Sequence, residues 1–162
     1  MTRDRLDYGD RPYRRGVGVM LVNRDGRIFA GQRIDQVAEA WQMPQGGIDE
    51  GETALAAAFR EAREEIGTDR FELLAESALW RPYDLPEAVA DQVWRGRYRG
   101  QTQKWFALRF TGSDADIAVA DVAEPEFSEW RWLTPEELMT MIVPFKQAIY
   151  REVFEEFAPL LR

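Results

Sequence analysis

Residues 13–22 (YRRGVGVMLV) end in the first strongly apolar run, which predicts a buried strand. Asn23-Arg24-Asp25-Gly26 carries the Asp-Gly hairpin signal, and Arg27–Gln32 returns as the partner strand. A polar loop over 34–40 leads through Trp41-Gln42-Met43-Pro44 to a glycine-rich turn with Gly46, Gly47 and Gly51. Leu55, Ala58, Phe59, Ala62 and Ile66 then recur with the helical period as a buried stripe, and Gly67 stands where a helix ends. Phe71–Leu79 reads as a strand, 84–102 as a looser segment, and Gln103–Phe110 as the next clear strand. The acidic stretch 111–125 suits an exposed loop with a short strand at Ile117–Val119, and Glu129–Leu133 alternates as a strand does. Thr134-Pro135-Glu136-Glu137 supplies an N-cap, a proline at the first helical position and a capping-box glutamate. A last helix follows Pro144, with Phe145, Ile149, Val153 and Phe157 on one face. With no repeat and no dividing linker, residues 1–162 read as one α/β domain, an α/β/α sandwich around a mixed sheet.

The helix after Gly51 carries more than a core face. Glu61, Glu64 and Glu65 sit at i, i+3 and i+4, so their carboxylates share a face, beside the apolar stripe on the helical wheel. Like charges so placed cost roughly a few tenths of a kcal/mol per pair, a term that a hard divalent cation among them would reverse. A solvated acidic face is the plain alternative for the cluster alone. Arg60 can pair with a carboxylate such as Glu52 and fix its orientation.

Composition narrows the chemistry. The chain has no His and no Cys, which excludes Ser-His and Cys-His nucleophilic catalysis, disulfides and a typical zinc site. Any metal would be held by oxygen, favouring Mg²⁺, Mn²⁺ or Ca²⁺. A net charge of −8 argues against broad, nonspecific nucleic-acid binding, though not against capture of one charged end group. No run of about 18 apolar residues and no apolar leader segment is present, so a cytoplasmic protein without a membrane partner is expected.

Gly46, Glu52, Arg60-Glu61, Glu64-Glu65 and Gly67 fall at the spacing G-x5-E-x7-R-E-U-x-E-E-x-G-U, which resembles the Nudix hydrolase box. Only Thr68, where an aliphatic residue is usual, departs, and it touches packing at the helix end. The resemblance implies the sandwich fold and a Mg²⁺-dependent hydrolase, Mn²⁺ being a possible substitute. Glu61, Glu64 and Glu65 would ligate metal, while Arg60 and Glu52 orient the cluster. The attacking water would lose its proton to a carboxylate, Glu61 being the expected base and Glu65 or a downstream Glu its rivals. Glu126 matches a loop Glu that reaches the metals in similar bacterial enzymes.

Beyond the box, residues 13–26, 41–48, 100–106, 125–133 and 144–150 resemble the RNA pyrophosphohydrolase and dinucleoside polyphosphate hydrolase group of that family. On that resemblance Arg14 and Arg33 contact 5′ phosphates and Phe145-Lys146 clamps the first bases. Tyr83 occupies a region where some dinucleoside polyphosphate hydrolases carry a base-stacking Tyr. Phe145 as a core anchor, and the two arginines as surface charges, are the plain alternatives. Trp94-Arg95-Gly96-Arg97-Tyr98-Arg99 with Lys104-Trp105 interleaves basic and aromatic residues, as an RNA-backbone track or an irregular loop would. The expected activity is release of pyrophosphate from 5′-triphosphate RNA, which initiates RNA decay, by a monomer. Splitting of a diadenosine polyphosphate is the alternative, and a non-catalytic nucleotide- or RNA-binding module a second one.

Overall fold

The structure, a computed structural model, describes residues 6–34 and 40–161. The long apolar run is the axis of the fold. Strand β1 (Tyr13–Val22) pairs antiparallel at its far end with β2 (Ile28–Arg33), with Val22 opposite Ile28. Near its start it pairs antiparallel with β4 (Gln45–Gly47), with Gly16 opposite Gly47, and along its length it runs parallel to β7 (Gly100–Phe110). The sheet extends from β2 to β3 (Trp41–Gln42) and β8 (Phe127–Leu133), and from β7 to β5 (Phe71–Glu76) and β6 (Arg81–Asp84). It is mixed, because β1–β7 is parallel and the other pairs are antiparallel.

Alternation along β1 sends Val17, Val19 and Leu21 to one core and Met20 and Val22 to the other. The first core closes under helix α1 (Ala54–Ile66), against Ala57, Ala58, Ala62 and Ile66. The second closes under α3 (Pro135–Met139) and α4 (Gln147–Phe157), through Leu138, Ile149, Tyr150, Val153 and Phe157. Helices therefore cover both sheet faces, the expected sandwich, and β1 carries no polar side chain from Gly16 to Val22, where both of its faces are covered. A short helix, α2 (Glu87–Ala90), lies in the segment between β6 and β7. Among the described residues no helix is long and apolar enough to cross a membrane.

Several expectations are corrected. The Ile117–Val119 strand is absent: the chain makes a 3-10 turn at Asp114–Asp116, and Ile117 and Val119 bury their side chains beneath α1 from a loop. The Ala118 N–H then donates to the Ile66 carbonyl, closing the end of α1. The glycine-rich turn contains a true strand, β4, and the stretch after Trp80 contains β6. The strand starting at Phe71 ends at Glu76, short of Leu79, while β8 begins two residues before Glu129. The buried stripe of α1 is rotated: Leu55 is exposed and Phe59 half-buried, while Ala57 and Glu65 face inward. Residues 35–39 of the polar loop lie outside the described residues.

Candidate active site

Helix α1 starts cleanly because the Thr53 side chain accepts from the Ala56 N–H, and it ends at Gly67 in the left-handed conformation. Between these caps it presents Arg60, whose guanidinium organises the cluster. Its Nε and Nη2 donate to the two oxygens of Glu52 at 2.8 and 2.9 Å, a bidentate pair. Nη1 donates to Glu61 at 2.8 Å and Glu64 at 3.2 Å, and Nη2 also reaches the Gly47 carbonyl at 2.9 Å. One side chain thus ties the loop carboxylate, two helix carboxylates and strand β4 together.

The Arg60 hydrogen bonds, with one from the Asp49 backbone N–H, hold the Glu52 carboxyl down at about 2. A depressed carboxyl pKa stabilises the folded chain above the unfolded value, near about 4.3, and that contribution is lost as pH falls toward 2. Thermal melts of the wild type should therefore fall more steeply with acidification across this window than melts of Glu52→Gln. Parallel curves would show that the clamp does not couple to folding.

Glu65 is the unusual member. It is 3% exposed, it takes the Gln45 backbone N–H, and its Oε2 has no hydrogen-bond partner. Burial first, then the Glu61 charge, raises its carboxyl well above the usual range, with Glu126 adding to the effect. Burial also raises Glu61, against the opposing pull of Arg60. The sequence reading had set these carboxylates beside the apolar stripe, but Glu65 lies within it. With Glu64 and Glu126, Glu61 and Glu65 line one cavity of about 480 Å³. Among the described residues no three acidic groups are already drawn together as a cation cage, and Arg60 bridges Glu61 and Glu64. The donor set nonetheless fits a hard divalent cation: all oxygen, repelling one another, and including a buried oxygen that nothing else satisfies.

The glycines of β4 make this approach possible. A Cβ on Gly46 would stand 2.0 Å from the Glu61 carboxyl carbon, and one on Gly47 would stand 2.1 Å from an Arg14 nitrogen. Successive strand residues face opposite sides, so Glu61 and Arg14 press on β4 from its two faces. Only a three-residue strand separates the acidic cluster from the basic groups.

On the Arg14 side, Gln45 is a junction. It accepts from Lys146 Nζ at 3.3 Å and from Gln103 Nε2 at 3.2 Å, and it hydrogen-bonds Tyr83. Lys146, 4% exposed, also donates to Gln42 at 2.9 Å, and its Nζ lies 5.8 Å from the Tyr83 ring centroid. Tyr83 is buried and stacks on the half-buried Phe145 with ring centroids 6.2 Å apart. Arg33, Phe145 and Lys146 line a second cavity, of about 100 Å³, with Trp41, Gln42, Val89 and Val143. Arg33, from the end of β2, and Phe145-Lys146, from the turn before α4, are thereby brought together from distant positions in the chain.

Comparison with known proteins starts from the family model: the NUDIX domain matches residues 12–157. The chain belongs to the Nudix family. A protein of Rhodospirillum rubrum named RNA pyrophosphohydrolase is 55% identical over 147 residues, covering 91% of this chain and 88% of its own. One of the same name from Rickettsia africae is 47% identical over 162 residues, covering both chains completely. Among solved structures, the Escherichia coli dihydroneopterin triphosphate pyrophosphohydrolase aligns with a TM-score of 0.67 at 23% identity, covering 88% of this chain and 97% of that one. A Caenorhabditis elegans Ap4A hydrolase complex aligns with a TM-score of 0.59 at 17% identity, covering 89% and 98%. These two share the fold.

In this Nudix chain the sequence reading missed the glutamine relay and the burial of Glu65. The relay had a signal: Gln101 and Gln103, two apart on one strand, share a face, and Gln103 Nε2 donates to Gln101 Oε1 at 2.8 Å. The basic–aromatic track is corrected in part. Trp105 is fully buried, its Nε1 donating to Gln103 at 3.1 Å, and Lys104 pairs with Glu76. Arg99 pairs with Asp84 at 3.0 Å, whereas Arg95 and Arg97 remain exposed.

Proposed function

We propose that this Nudix enzyme is a Mg²⁺-dependent RNA pyrophosphohydrolase, converting a 5′-triphosphate RNA end to a 5′-monophosphate with release of pyrophosphate. Such a reaction initiates RNA decay from the 5′ end. The observation that carries the reading is the placement of two unlike sites on either side of β4. One is an all-oxygen carboxylate cavity (Glu61, Glu64, Glu65, Glu126), the other a basic and aromatic cavity (Arg33, Phe145, Lys146). A polyphosphate joined to a base needs both. The names of the full-length relatives agree with this assignment.

Glu61, Glu64, Glu65 and Glu126 would hold Mg²⁺, with Mn²⁺ as a substitute. Such a cation, when bound, neutralises phosphate charge and lowers the pKa of water. Glu61, whose carboxyl burial raises, is suited to accept a proton from the attacking water, while Arg60 and Glu52 fix its direction. Arg14 and Arg33 would hold phosphates, and Phe145 would stack on the first base as single-stranded RNA recognition requires. A cytoplasmic monomer is the proposed setting.

The direct test supplies purified protein and Mg²⁺ with a 5′-triphosphorylated oligoribonucleotide. Pyrophosphate and a 5′-monophosphate end are expected; no release with either Mg²⁺ or Mn²⁺ would favour a binding module. Phe145→Ala should slow RNA turnover by about 5- to 100-fold, the equivalent of one lost base stack. An unchanged rate would return Phe145 to the core. Dinucleoside polyphosphates remain the second reading, because the half-buried Phe145 ring, backed by the buried Tyr83, would stack on an adenine as well as on the first base of an RNA.

A further inference from the structure

The segment before β7 contains an unusual piece of backbone. Trp94 and Arg95 have φ of +48° and +59°, and among the described residues they are the two non-glycine residues with positive φ; Gly96 follows at +68°. A bulky indole is seldom held in the left-handed region, so the surroundings must enforce it. They do. Gly96 N–H donates to the Val93 carbonyl, Arg97 N–H to the Trp94 carbonyl, and Arg99 N–H to the Pro12 carbonyl, two residues before Arg14. The Tyr98 ring meets the indole edge-to-face at 5.9 Å.

This turn sets the indole beneath Arg14, whose guanidinium carbon lies 4.9 Å from the Trp94 ring centroid. The glycine backbone at Gly47 bounds Arg14 on another side, and among the described residues no carboxylate pairs with it. The manner of holding matters. An acid partner would occupy the planar fork of N–H donors and cancel the charge, whereas an aromatic face orients the guanidinium and leaves the fork open. An open, oriented, uncancelled fork matches a phosphate.

The geometry points to Trp94, displayed by the left-handed turn at residues 94–96, as the positioning residue that holds Arg14 ready for a phosphate of the 5′-polyphosphate substrate. The inference rests on the proposed reading of Arg14 as a phosphate contact. Because the contact is to phosphate and not to a base, it serves RNA ends and dinucleoside polyphosphates alike.

The test measures kcat and KM with Mg²⁺ on 5′-triphosphorylated RNA for wild type, Arg14→Ala, Trp94→Leu, Trp94→Phe and the double variant Arg14→Ala/Trp94→Leu, each checked by thermal melting. Trp94→Leu should raise KM about tenfold with kcat within about threefold, Trp94→Phe should recover most of the loss, and Trp94→Leu should add nothing once Arg14 is gone. Should Trp94→Leu not fold, Gly96→Ala, which opposes the positive φ while keeping the indole, should raise KM in the same way. If Arg14→Ala raises KM but a folded Trp94→Leu matches wild type, the positioning role is overturned and the Arg14 reading stands. If Arg14→Ala itself changes nothing, that reading fails and the inference falls with it. Equal losses from Leu and Phe that add to Arg14→Ala would also overturn it, showing a packing role.

Discussion

Glu65→Gln should lower turnover by about a thousandfold, roughly 4 kcal/mol of barrier, while the protein melts at or above the wild-type temperature. The two halves of this expectation come from one observation. Glu65 is a buried carboxyl with one oxygen unsatisfied and a like charge in Glu61 beside it, so its ionised form opposes folding. A glutamine has the same shape, can still donate toward Glu61, and removes the charge. As a stability device, then, Glu65 is a poor choice, and as a cation ligand it is a good one. On the proposed reading Mg²⁺ would bind the folded chain and not the unfolded one, so it should stabilise the wild type by about 2.7 kcal/mol at a hundredfold excess over the dissociation constant and raise its melting temperature. The variant should lose much of that rise. Turnover near wild type in a well-folded Glu65→Gln would remove Glu65 from the metal site.

Gly46→Ala is expected to reduce kcat/KM by at least about a hundredfold, roughly 3 kcal/mol, with a stability loss of about 1–3 kcal/mol from overpacking. The added methyl would sit 2.0 Å from the carboxyl carbon of Glu61 and 2.2 and 2.3 Å from its oxygens. The strand cannot yield easily, because Gly46 is in register with the fully buried Val17 of the central strand. Glu61 must therefore swing away, taking its contact with Arg60 and disturbing Glu64 and Glu52 through the same guanidinium. Activity retained in a folded Gly46→Ala would show that the position of Glu61 is not critical.

Legibility in the sequence followed the physics of each element. The buried run of β1, the Asp-Gly hairpin and the capped helices announced themselves, because each is dictated by local pattern. Strand β4 did not, since Gln-Gly-Gly has no strand preference; it is a strand because its backbone pairs with β1, and its bare glycines leave room for Glu61 and Arg14. Ile117 and Val119 misled for the converse reason: alternating apolar residues can anchor a loop beneath a helix as well as build a strand. The inward face of α1 was misjudged because size, not hydrophobicity, decides it. Ala57, Ala58 and Ala62 let the helix lie close to the sheet, and Glu65 is carried inward with them, leaving Leu55 outside. The acidic cluster itself was legible from spacing. The pairing of Arg33 with Phe145 and Lys146 in one cavity, and the buried links of Lys146 to Gln42 and Gln45, depend on contacts across more than a hundred residues that no local pattern encodes.

The most direct test of the proposed activity is a competition in Mg²⁺ between equimolar 5′-triphosphorylated oligoribonucleotide and diadenosine tetraphosphate, with both products followed in one reaction. Preferential release of pyrophosphate from the RNA is the predicted result. Preferential splitting of the dinucleotide would contradict it, and would move the function to nucleotide clearance.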